Sequence, residues 1–133
     1  MVLSSPEMLP KISQGVTTVV VGNCGISLAP LVRTNVPPPL NLLGGSGGFV
    51  FGSMQAYAHA VDEARPTTNV AALVGHSTLR VATMEDPYRP ASAAEQARMV
   101  DLARGAMAAG PTGLSTGVFY ATAAPADTAA VVL

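Results

Sequence analysis

Lysine is almost missing from this 133-residue sequence; Lys11 is the only one. Charged residues make up 11% of the chain, against about 25% in ordinary globular proteins. Seven basic residues and eight acidic ones leave a net charge of −1, and no run of like charge occurs. That excludes a surface for nucleic acid or an acidic membrane, which needs clustered Lys and Arg. A single cysteine, Cys24, excludes an internal disulfide framework and predicts a reducing, cytoplasmic setting. No apolar run approaches the roughly 18 residues of a membrane span; Val70–Val74 is typical. The opening Met1-Val2-Leu3-Ser4-Ser5-Pro6 lacks a basic stretch leading into a long apolar segment, so no signal peptide is predicted.

What the chain has is apolar residues, at 49%, enough to build a core and too many for a disordered chain. They fall into alternating helix and strand patterns. Residues 6–14 suggest a helix stopped by Gly15. The β-branched run Val16–Val21 shows no alternation and reads as a strand buried on both faces, the habit of parallel sheets. Residues 30–52 hold Pro37-Pro38-Pro39 and Gly44-Gly45-Ser46-Gly47-Gly48, and are predicted to be a long, flexible, irregular loop. Ser53 is placed to cap a helix through Ala64, and Asn69–Gly75 reads as a second strand. Ser92-Ala93-Ala94-Glu95 is a capping box opening a helix to about Ala109, with Gly110 as its stop. Gly113–Gly117 gives a short third strand, and Asp127 is placed to cap a last helix. Alternation of this kind predicts an α/β fold with a parallel sheet, either open or closed into an eight-stranded barrel.

The polar residues gather after the strands: Asn23 and Cys24, His76 and Ser77, Ser115 and Thr116. In parallel α/β folds the carboxyl ends of strands are where chemistry sits. Cys24, between glycines, is open to two readings, an inert small hydrophobe or a thiolate serving as nucleophile or metal ligand. His76 suits a ligand, a base or a hydrogen-bonded structural histidine equally well. His59 reads as a partly exposed helical residue. The glycine cluster at 44–48 fits neither a dinucleotide nor a phosphate loop. Tyr120, with Phe119, follows the third strand as core or pocket wall.

Three segments go further. Residues 15–30, containing Gly22-Asn23-Cys24-Gly25, residues 69–80, containing Gly75-His76-Ser77-Thr78-Leu79-Arg80, and residues 113–120, Gly113-Leu114-Ser115-Thr116-Gly117-Val118-Phe119-Tyr120, resemble the D-aminoacylases. These are the N-acyl-D-amino-acid deacylases of the amidohydrolase superfamily, and the similarity runs in the family's order over most of the chain. The resemblance implies a zinc hydrolase on a (β/α)8 barrel, of which this chain is roughly strand units 2–4. It implies hydrolysis of the amide of an N-acyl-D-amino acid, with zinc activating water and an aspartate moving protons. The family's cysteine ligand matches Cys24.

The family's His-x-His pair precedes the segment matched here, and its later histidines and catalytic aspartate follow it. The resemblance therefore implies no catalytic residue within residues 1–133, and a fragment inactive on its own that holds no zinc tightly. His76, Arg80 and Tyr120 are expected, from position, to line the substrate site. The expected partner is the small-molecule substrate, with self-association possible through open sheet edges and neither nucleic acid nor membrane involved. The alternative is a non-catalytic α/β domain or decayed paralogue binding a small ligand or partner, and a third is a thiol enzyme built on Cys24 and His76.

Overall fold

The computed structural model describes residues 2–43 and 46–126. Its centre is a parallel three-stranded sheet, ordered β1 (Thr18–Val21), β4 (Asn69–Gly75), β5 (Gly113–Ser115). Val19 lies opposite Val70 and Val21 opposite Ala72; Leu73 lies opposite Gly113 and Gly75 opposite Ser115. Parallel neighbours require crossovers, and helices supply them. The expected α/β class and parallel sheet are therefore present.

β1 departs from its expectation. It is four residues long and alternates between exposed and half-buried positions, instead of running buried from Val16. The cause is its place at the sheet edge, with β4 on one side only among the described residues. Val20, pointing away from the helices, is 51% exposed.

Between β1 and its crossover helix lies the segment expected to be irregular. It contains β2 (Leu31–Val32) and β3 (Val50–Phe51), paired antiparallel, with short 3₁₀ turns at Leu40–Leu43 and Ser46–Gly48. Leu31, Leu40 and Phe49 are buried with Ile26 and Val81 in a small apolar cluster of their own.

Helix α2 (Met54–Ala64) begins where Ser53 predicts, the Ser53 hydroxyl accepting the Ala56 N–H at 3.1 Å. Helix α4 (Ala93–Met107) opens on the predicted capping box. The Ser92 hydroxyl accepts the Glu95 N–H, and the Glu95 carboxylate accepts the Ser92 N–H at 2.8 Å. Met54, Tyr57 and Val61 of α2 and Met99, Ala103 and Ala106 of α4 form one core. They pack with Val19, Val21, Val70, Ala72 and Val74, the alternate residues that share one face of the sheet.

Two helices differ from expectation. α1 is only Leu9–Ile12, because Pro6 and Pro10 remove amide donors and Met8 takes a left-handed conformation with φ 50°. α3 (His76–Thr83) was not anticipated at all. It follows β4 directly, and its first six residues, His76–Val81, are all buried although four of them, His76, Ser77, Thr78 and Arg80, are polar, so in the sequence they read as polar residues following a strand end. The helix expected from Asp127 lies outside the described residues.

Arg89 donates to both carboxylate oxygens of Glu95, at 2.6 and 2.9 Å. This pair, with the Ser92 N–H and the Ser92 hydroxyl both donating to the carboxylate at 2.8 and 2.9 Å, lowers the Glu95 pKa from 4.5 to about 2. A carboxyl lowered on folding stabilises the fold above its unfolded pKa and loses that contribution as pH falls through the folded one. Melting temperature should therefore fall between about pH 4.5 and about pH 2 more steeply in the parent chain than in Glu95→Gln. Thermal melts across that range check this; parallel curves for the two proteins would contradict it.

Candidate functional site

Three strand ends converge on one turn. β1 ends in Gly22-Asn23-Cys24-Gly25, where Gly22 (φ 84°), Cys24 (φ 58°) and Gly25 (φ 78°) all have positive φ. For glycine this is free; for Cys24 it costs about 1 kcal/mol, so surrounding contacts must hold it. Asn23 Nδ2 donates to the Val20 carbonyl at 2.8 Å. The Cys24 side chain itself is exposed.

The neighbouring strand ends press on this turn. Gly75, the last residue of β4, lies so close that a Cβ there would stand 2.5 Å from the Gly25 carbonyl carbon and oxygen. A Cβ on Gly117, just past β5, would collide with the Cys24 carbonyl oxygen. From β5, the Ser115 hydroxyl accepts the Gly25 N–H at 3.0 Å and donates to the Gly22 carbonyl.

Beneath the turn, the first residues of α3 complete the support. The Thr78 N–H donates to the Gly25 carbonyl at 3.3 Å. The Thr78 hydroxyl accepts the Ser27 N–H and donates to the Ser27 carbonyl, both at 2.9 Å. The Ser27 hydroxyl accepts the Gly75 N–H at 2.9 Å and donates to the Ala29 carbonyl at 2.6 Å. These are buried polar groups with their bonds made, which makes such a network rigid. Ser27 and Thr78 were not singled out in the sequence, since nothing in local spacing connects residues 51 apart.

The expected site residues take different positions. Cys24, His76 and Ser115 all stand at the carboxyl edge of the sheet, as their positions after β1 and β4 and at the end of β5 require. His76 is 3% exposed at the start of α3. Arg80, one turn further along, is wholly buried. Its guanidinium donates to the Thr122 carbonyl at 2.6 Å, the Pro87 carbonyl at 2.9 Å and the Arg89 carbonyl at 2.6 Å, tying two loops to α3. Tyr120 is half-buried against the small apolar cluster and meets Phe119 edge to face, with ring centroids 6.1 Å apart. His59 is exposed on α2, 3.5 Å from Glu63. Beside the turn, a largely apolar cleft of about 650 Å³ is lined by Val21, Gly22, Asn23, Ile26, Phe51 and Leu73, among others.

As a metal site the arrangement offers one thiol. Among the described residues no group of three or more His, Cys, Asp or Glu could hold a metal ion, so Cys24 makes no such set with its described neighbours.

Because Gly75 abuts backbone, Gly75→Ala should destabilise the chain by about 1–3 kcal/mol through overpacking. Gly105 lies inside α4 with nothing within 4 Å of an added Cβ, so Gly105→Ala should stabilise it by about 0.5–1 kcal/mol. Denaturant titration of both variants checks the opposite signs.

No protein-family profile matches the chain. It is 54% identical over 127 residues to an N-acyl-D-aspartate deacylase of Alcaligenes xylosoxydans xylosoxydans, covering 94% of this chain and 26% of that protein. It is 52% identical to a D-aminoacylase of the same organism, over 95% of this chain and 26% of that protein. A D-aminoacylase crystal structure described as defining a novel subset of amidohydrolases superposes with a TM-score of 0.94 at 52% identity, over 98% of this chain and 28% of the other. The N-acyl-D-glutamate deacylase of Bordetella bronchiseptica, solved with zinc and a phosphonate mimic of the tetrahedral intermediate, gives a TM-score of 0.86 at 47% identity, over 95% of this chain and 26% of that one. The chain spans about a quarter of the length of the relatives it matches. In sequence and in fold, it is similar over nearly all of its length to one quarter of a D-aminoacylase-type amidohydrolase.

Proposed function

We propose that this chain is part of a zinc-dependent N-acyl-D-amino-acid deacylase, built on a (β/α)8 barrel in which β1, β4 and β5 are about the second to fourth strands. The observation supporting this reading is the Cys24 turn. It stands at the carboxyl end of a parallel sheet, in a chain about half identical to deacylases of this type. Active sites of such barrels lie on that face.

In this reading Cys24 contributes a thiolate to the metal, and the other ligands and the proton-transferring carboxylate come from parts of the protein beyond residues 1–133. Zinc supplies Lewis-acid chemistry at the amide carbonyl and to water. The reaction adds water across the amide bond, giving a carboxylate and a free D-amino acid. The residues of this chain bind and position. His76 and Tyr120 line the site beside the Cys24 turn. Arg80, bonded to the carbonyls of Thr122, Pro87 and Arg89, acts on the site through the loops it ties. The uncovered face bearing Val20 is turned to the barrel interior.

In the full-length protein that carries this chain, Cys24→Ala should reduce turnover of N-acetyl-D-methionine by more than about 100-fold, since even partners of metal ligands are worth 10–100-fold. The 133-residue chain alone should release no amino acid and keep no zinc after dialysis against a mild chelator. A catalytic zinc needs three protein ligands, and loss of the proton carrier alone removes about 10²–10⁴ in rate. Zinc retained stoichiometrically by the short chain, with turnover abolished by Cys24→Ala, would overturn the assignment of the remaining ligands to other parts of the protein.

The edge of β1 and the exposed Val20, Val118 and Phe119 also predict association of the isolated chain, because open edges and apolar patches recruit partners. Sedimentation velocity over a concentration series should show mass rising with concentration; a monomer throughout would contradict it.

A further inference from the structure

Ser115, which the sequence marks only as a polar residue at a strand end, lies at the centre of the turn's support. A hydroxyl has one donor and two acceptor sites. Ser115 uses both kinds on the two ends of a single turn, accepting the Gly25 N–H at 3.0 Å and donating to the Gly22 carbonyl. Asn23 and Cys24 lie between those two groups. The turn has three positive-φ residues, Gly22, Cys24 and Gly25, and two of them are glycines with many conformations to lose on ordering. The cross-strand partner of Ser115 is Gly75, which has no side chain to compete for the space over the strand end.

We propose that Ser115 is a positioning residue for Cys24, its hydroxyl clasping both ends of the turn and so fixing where the thiol stands above the strand ends. This rests on the reading of Cys24 as a metal ligand. The clasp comes from a strand 90 residues away in sequence, so it ties the thiol to the sheet itself. A ligand held in one geometry before the metal arrives loses less freedom on binding, and groups that orient ligands in this way are worth about 10–100-fold in metal affinity.

The test uses the metal-free full-length protein and cobalt(II), whose bond to a thiolate gives a charge-transfer absorption that reports the geometry of that bond. Well below the melting temperature, Ser115→Ala is expected to weaken cobalt binding by about 10–100-fold and to shift or reduce the charge-transfer band. Ser115→Thr, which keeps a hydroxyl, is expected to restore both towards the parent, and Cys24→Ala to abolish the band. Ser115→Gly is measured in parallel, so that the result does not depend on one variant folding. A purely structural serine would lower the melting temperature without moving the band. Parent-like band and affinity in Ser115→Ala or Ser115→Gly, with the band lost in Cys24→Ala, would overturn the positioning role and leave the metal reading standing. A band unchanged in Cys24→Ala would overturn the metal reading itself, and this proposal with it.

Discussion

Backbone meets backbone where Gly75 passes Gly25, and the upper end of the sheet is arranged around that contact. No side chain fits between β4 and the turn after β1, so the turn can settle directly on the strand ends. From there its carbonyl reaches the first turn of α3 and its amide reaches Ser115. Were the two chains separated by the width of a methyl group, the Ser27–Thr78 bonds and the Ser115 clasp would all lengthen together. The conformation of Cys24, mildly unfavourable on its own, persists because these neighbours over-determine it.

Burial divides the molecule into two kinds of packing. Below the strand ends, α2 and α4 lay apolar stripes on alternate residues of the sheet, and the attraction there is non-directional. At the strand ends, Ser27, Ser77, Thr78 and Thr122 are buried polar residues, and their hydrogen bonds fix direction as well as distance. The first kind holds the layers together. The second determines which way the loops above them point, and it is the loops that carry Cys24 and Tyr120.

Sequence patterns were informative where the physics is local. Ser53 and the Ser92–Glu95 pair are caps whose partners lie within three residues, and both helices begin where those residues stand. The apolar run after Asn69 is a strand as expected, and it takes the central place between β1 and β5. Val16–Val21 carries the same pattern, yet its strand, Thr18–Val21, is half-exposed with a neighbour on one side only among the described residues, because burial depends on neighbours that composition does not name. α3 goes unannounced for a different reason: four of its six buried leading residues are polar, so the segment reads as the end of a strand, and its burial depends on partners distant in sequence. The site divides in the same way. Cys24, His76 and Ser115 were legible as residues at strand ends, while the Ser27–Thr78 network joins positions too far apart for any spacing rule. The buried setting of Arg80 depends on loop carbonyls at Pro87, Arg89 and Thr122 that no local pattern announces.

The junction of β4 with α3 has an evolutionary consequence. Gly75 ends the strand and His76 begins the helix, with no connecting residue between them. Loops absorb insertions and deletions because their backbone has room to rearrange. Here there is no slack: one added residue would rotate α3 by about 100° about its own axis and turn Thr78 and Arg80 away from their partners. The ribbon of β2 and β3, by contrast, lies outside the parallel sheet and closes the segment between them through its own two ends. Among descendants of a common ancestor, then, size differences should collect after β1, while the passage from Gly75 to His76 keeps a constant length.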